Sequence, residues 1–152
     1  MPLWNIFHPE GTFTDSQSKS AFSKDITKIY TDKLGLPAFF VVVQFIKMEK
    51  GDVWVGGKVN EGDKPFIRLV IEHTAVNVPA EAEEEAYRTT CQWVDNAIKP
   101  HVTDKGYDSE YHISENDRRL WKINGLIPLP WKSEEEKQWV KANKALPWSG
   151  DH

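Results

Sequence analysis

Apolar positions change their period several times along this chain, and each change marks an element. Residues 2–8 are short and apolar-rich and run into the breakers Pro9 and Gly11, the pattern of a strand leaving into a loop. From Thr14 the spacing lengthens. Phe22, Ile26, Ile29, Tyr30 and Lys33 recur at helical intervals behind a Thr14/Gln17 capping box, which predicts a helix ending near Gly35 and Pro37. Residues 39–48 return to β-branched and aromatic types, with apolar groups at both alternating sets of positions, as in a strand buried from both sides. The Lys50-Gly51-Asp52 turn and the stretch 53–57 then predict a hairpin-like excursion.

The order repeats after Gly62 and Pro65. Residues 66–74 read as a strand, Pro79 as the first helical position of the next element, and Ala86, Tyr87, Cys91, Val94 and Ile98 as the apolar stripe of a helix that stops at Pro100. Residues 107–113 form a weaker strand. Beyond them come a short helix over 117–122, a turn at 123–126, the run Pro128-Leu129-Pro130-Trp131, and a last helix carrying Trp139 and Val140 behind a Ser133/Glu136 capping box. The fold class is α/β (α+β), with two tandem strand–helix–strand units forming a four-stranded mixed sheet and a C-terminal extension. Right-handed crossovers put both long helices on one face of that sheet. The other face then needs the tail or neighbouring subunits to cover it.

A length of 152 residues suits one domain with one core, divided into a first unit at about 2–60, a second at about 61–115 and the extension at about 116–152. With 39% hydrophobic and 28% charged residues the chain reads as a soluble globular protein. The net charge of −4 and the interleaving of basic with acidic residues argue against a nucleic-acid partner. No apolar run approaches the ~20 residues of a membrane span, so no membrane is expected. The start Met-Pro-Leu-Trp-Asn lacks a secretory pattern, which makes the cytoplasm the expected location. Cys91 is the lone cysteine and reads as a structural thiol, and His8, His101 and His112 lack ligand-like spacing, so no metal is assigned.

Met1-Pro2 ahead of a strand, two tandem units, the Val55-Gly56-Gly57 excursion and the strand Pro-Phe-Ile-Arg-Leu-Val-Ile-Glu-His at 65–73 together resemble the tautomerase superfamily. Within it the chain is most similar to the cis-3-chloroacrylic acid dehalogenase-like branch, which includes the fungal oxalocrotonate tautomerase type. The resemblance covers about residues 2–130. It implies a macrophage migration inhibitory factor-like fold, a homotrimer, no cofactor, and an amino-terminal proline exposed by removal of the initiator methionine. It thereby implies an isomerase, a keto–enol tautomerase in which Pro2 transfers a proton on a small 2-oxo or enol carboxylic acid. A free α-amino group has a reference pKa of about 7.7–8.0, so a modest depression leaves a neutral fraction able to accept a proton near neutral pH.

Alternation along 66–73 puts Arg68 and Glu72 on one face and His73 on the other. If that strand lies antiparallel beside the first, as the resemblance implies, its end brings Glu72 or His73 close to Pro2. Arg68 is the candidate for holding the substrate carboxylate, or else an ion-pair partner of Glu72 within an oligomer interface. Glu72, Tyr30 and Asn124 complete the candidate substrate-binding set, and His73 reads as structural. In the dehalogenases a water-orienting histidine occupies the place of Tyr30, and the two carboxylate-binding arginines fall here on Glu72 and Ala75. Dehalogenase or hydratase activity is therefore expected only as a weak side reaction. The alternative is a non-catalytic binding protein, either a drifted tautomerase-like scaffold or a ferredoxin-like module of the same element order.

Overall fold

Strand β1 (Leu3–Pro9) lies inside a four-stranded sheet in a computed structural model that describes residues 1–60, 62–75 and 77–150. The sequence boundary between the two units at Glu61 and the last two residues of the extension fall outside that set. The chain continues through α1 (Ser16–Lys28), β2 (Val42–Met48), the small hairpin β3 (Trp54–Val55) and β4 (Lys58–Val59), then β5 (Phe66–His73), α2 (Glu84–Ile98), β6 (Asp108–Glu115) and α3 (Glu134–Ala142). The sheet order is β2-β1-β5-β6, with β1 parallel to β2, β5 parallel to β6, and β1 antiparallel to β5. This is the mixed sheet of two strand–helix–strand units that the repeat predicts.

Burial alternates strictly along the two central strands. Trp4 and Ile6 of β1, with Ile67, Leu69 and Ile71 of β5, pack beneath Phe22 and Ile26 of α1 and Val94, Ala97 and Ile98 of α2. Each large side chain buried this way contributes about 1.5–3 kcal/mol. The opposite face carries Leu3, Phe7, Val42, Ile46, Phe66 and Val70, which stay half-exposed and outside the core cluster. The extension does not join them: it packs on the connection between α1 and β2. Trp139 and Trp121 lie edge-on to Phe40 at 6.1 and 5.0 Å, and Asn143 Oδ1 accepts the Phe39 N–H at 2.9 Å.

Local chemistry moves several predicted boundaries. Asp15, not Thr14, caps α1, because its carboxylate accepts the Ser18 N–H at 2.7 Å from an extended backbone. A π-helical turn, Ile29–Lys33, extends α1, and Gly35 at φ +68° closes it. Pro79 does not open α2. Its carbonyl accepts the Ala82 N–H in a turn, Glu83 is still extended, and the helix starts at Glu84 with Glu84 and Glu85 in the first turn, where the helix dipole favours acids. A 3₁₀ turn, Ala38–Phe40, takes the start of the predicted 39–48 strand. Before α3, Ser133 caps as expected, yet Glu136 reaches back to the Lys132 N–H at 2.6 Å, one residue beyond the ordinary box.

Candidate functional site

At the head of β1 the side chains alternate so that Pro2 and Trp4 point toward the helices and are buried. The antiparallel register pairs Leu3 with Glu72. One step further, His73 lies beside Pro2 and shares its face, whereas Glu72 points to the open face. The Pro2 carbonyl accepts the Val42 N–H at 2.9 Å, which fixes the start of β1 against β2. From the π-helical turn, Tyr30 enters the same corner. Its hydroxyl oxygen accepts the Trp4 indole N–H at 2.8 Å and lies 2.8 Å from His73 Nε2, the two rings meeting edge-on at 5.6 Å.

The chain terminus and Arg118 of the extension add charge to this corner. The terminal amine, carried here by Met1, is pulled from 8.0 down to about 4, first by burial and then by the Arg118 guanidinium. His73 is pulled from 6.5 to about 4 by burial and then by that amine, so its imidazole is neutral at pH 7. Burial drives the Tyr30 phenol well above its usual range. Arg118 donates to the Ala75 carbonyl at 2.6 Å and to that of Leu129, and its guanidinium lies 5.6 Å from the Trp121 ring centroid. Glu136, only 3% exposed, has one oxygen on Lys132 N and the other without a partner among the described residues, and burial pushes its carboxyl up against the pull of Arg118.

Of the residues singled out from the sequence, Pro2 and Tyr30 are brought to one corner, and Arg68, Glu72 and Asn124 are not. Arg68 pairs with Phe7 in the register, five residues along β1 from Pro2 and on the open face. At about 3.3 Å per residue that is roughly 16 Å away. Its partners within this chain are Glu110 at 2.6 Å and His112 at 2.9 Å. Asn124 is exposed at φ +51° beside Gly125 at φ +83°, in a tight turn closed by two 2.9 Å bonds between Ile123 and Leu126. It is a turn residue. Trp4 and Arg118, which the sequence did not mark, join this corner, as does His73. Alternation along β5 set His73 on the face opposite Arg68 and Glu72, the register brings that face to Pro2, and nothing local marked Arg118.

A cavity of about 50 Å³ opens onto Tyr30 and His73 between the π-helical turn and α2, lined also by Leu34, Thr90 and Val94. A groove of about 430 Å³ along α2 and β6 shares Val78 and Thr90 with it.

The sequence matches, over residues 1–144, the family described as "Putative oxalocrotonate tautomerase enzyme". This chain belongs to that tautomerase family. Among solved structures it is similar to native RhCC from Rhodococcus jostii RHA1, with 37% identity, a TM-score of 0.88, and coverage of 96% of this chain and 99% of that one. It is equally similar in sequence, at 37%, to a probable enzyme from the thermophilic fungus Aspergillus fumigatus, with a TM-score of 0.84 and coverage of 97% and 98%. N1, a member of the cis-3-chloroacrylic acid dehalogenase family, shares the fold at a TM-score of 0.67 and 11% identity, over 93% of this chain and 97% of that one. No curated protein matches the sequence. Membership of this family makes the chain a tautomerase-like enzyme by descent, and no helix among the described residues is long and apolar enough to cross a membrane.

Proposed function

We propose that this chain is a keto–enol tautomerase acting on a small 2-oxo or enol carboxylic acid, with Pro2, freed by loss of Met1, as the proton carrier. The observation that carries the reading is the buried, cation-flanked amine at the head of β1, depressed to about 4. In an intact Met-Pro amide Pro2 has no basic nitrogen. Once Met1 is gone the amine falls on Pro2, a buried residue, and burial beside a cation lowers an amine below its reference pKa of about 8. A neutral secondary amine takes the enol O–H proton as the carbonyl forms, then delivers it to the adjacent carbon, and no net proton is gained or lost.

A carboxylate needs a cation on the same face. Arg118 replaces Arg68 in that role, because Arg118 acts on the terminal amine and spends only two of a guanidinium's five N–H donors on backbone carbonyls. Those two bonds also favour a second reading, a drifted scaffold in which Arg118 merely ties down the extension. The half-exposed apolar face, with Asn5 Oδ1 buried in its middle and unpartnered among the described residues, supports a homotrimer, which sedimentation equilibrium tests against a stable monomer. The catalytic reading is tested by comparing processed and Met1-retaining protein, at equal folding, on phenylenolpyruvate. It requires turnover in the first form and none in the second, and equal rates would leave the scaffold reading.

A further inference from the structure

The Trp4, Tyr30 and His73 side chains form a directed hydrogen-bond chain, and its direction follows from counting donors. The Trp4 indole nitrogen can only donate, and it gives its hydrogen to the Tyr30 oxygen at 2.8 Å. Tyr30 is 2% exposed, so its own hydroxyl hydrogen needs an acceptor within the protein, and His73 Nε2 stands 2.8 Å away. If Nε2 carried a hydrogen instead, the phenol would receive two donors while its O–H stayed buried without a partner, at a cost of about 1–3 kcal/mol. Nε2 is therefore the acceptor. A neutral imidazole then keeps its hydrogen on Nδ1, which has no hydrogen-bond partner among the described residues.

We propose that His73, fixed in the Nδ1–H tautomer by Tyr30, is the hydrogen-bond donor to the substrate oxygen as enolate charge develops there. The proposal rests on the reading of Pro2 as proton carrier and adds a second catalytic residue to it. His73 lies beside Pro2 by register and on the same face, and the terminal amine acts on it electrostatically, so the imidazole and the head of β1 border one corner. The division of labour is balanced. Pro2 moves one proton from oxygen to carbon; His73 lends its N–H to the oxygen without giving it up. An imidazole suits this role when it is neutral, since an imidazolium would surrender its proton to the developing enolate. Burial, the largest cause of its depressed pKa, keeps it so. Tyr30 is the positioning residue, and Trp4 in turn fixes Tyr30.

The test uses processed, Met1-free protein with phenylenolpyruvate, after circular dichroism has matched the folds. His73→Phe keeps an aromatic ring of similar bulk and removes the donor. It should lower kcat by about 10²–10³-fold with KM little changed, the range seen when one donor to a developing oxyanion is deleted. His73→Asn places an N–H near the Nδ1 position and should recover at least about tenfold of that loss. Nitrogen NMR of histidine-labelled wild-type protein should show a pyrrole-type Nδ1 and a pyridine-type Nε2 on His73. An unchanged kcat in His73→Phe, no recovery in His73→Asn, or the opposite tautomer overturns the proposal. Failure of the Pro2 reading shows differently, as equal rates in processed and Met1-retaining protein.

Discussion

Removing the Tyr30 hydroxyl is a sharp probe of this corner, because one oxygen serves two buried partners. In Tyr30→Phe the ring still fills its site, so no cavity larger than the lost oxygen is made. The Trp4 indole N–H, on a fully buried residue, loses its acceptor, and His73 Nε2 loses its donor. An orphaned buried donor costs about 1–3 kcal/mol, and the second lost bond adds about 1, giving a destabilisation of roughly 2–4 kcal/mol. For a chain of this size each kcal/mol lowers Tm by about 2–4 °C, so a drop of roughly 5–15 °C is expected. Tyr111→Phe is the control. Its hydroxyl donates to Asp95 at 2.9 Å from a half-buried position, where water replaces the lost partner, and its cost should stay under about 1 kcal/mol. Urea denaturation at constant slope measures both variants. A Tyr30→Phe cost no larger than that of Tyr111→Phe would mean that the hydroxyl does not bridge Trp4 and His73.

The other predictions concern protons and cations. Below pH 6.5 the unfolded chain takes up a proton on His73 that the folded protein refuses until about pH 4, so stability present above 6.5 should fall through that window by roughly 3 kcal/mol. Urea melts across this range should show the fall and His73→Phe should make it shallower, the depressed terminal amine still contributing; a flat wild-type profile refutes the burial of a neutral imidazole. Arg118→Lys keeps the charge and loses the planar fork, and should raise KM for an enol acid by about 10–100-fold. Arg68→Ala, distant and on the open face, should leave steady-state kinetics within about twofold in the assembled enzyme, and the reverse ranking would return the carboxylate to Arg68.

The fold was legible because its signals are local. Period-two alternation marks β1 and β5, the stripe at Val94 and Ile98 marks the buried face of α2, and the positive φ values of Gly56 and Gly57 close the small hairpin where two glycines stand together. Boundaries slipped where two residues compete for one role, as Thr14 and Asp15 do for the cap of α1, or where a proline such as Pro79 suits a turn as well as a helix start. The corner around Pro2 was only half legible. Pro2 and the face of His73 follow from position and alternation, but the partner of His73 is Tyr30, 43 residues away on a π-helical turn that periodicity does not foretell. Arg118 arrives from a 3₁₀ turn in the extension, held by carbonyls at Ala75 and Leu129. Arg68 drew attention as a guanidinium on a promising strand, and only the register shows how far along β1 it sits.

The claim on which the rest depends is that the free nitrogen of Pro2 is the reactive group. Treating processed protein near pH 7 with an acetylenic 2-oxo acid, and mapping the adduct by peptide mass spectrometry, tests it directly. Lysine side chains, with a reference pKa of about 10.4, are almost fully protonated there, whereas a depressed secondary amine is neutral and nucleophilic. A single adduct on Pro2, formed in step with loss of phenylenolpyruvate turnover and absent from Met1-retaining protein, is the predicted result. An adduct on Cys91 or a lysine, or complete labelling of Pro2 with turnover intact, would contradict it.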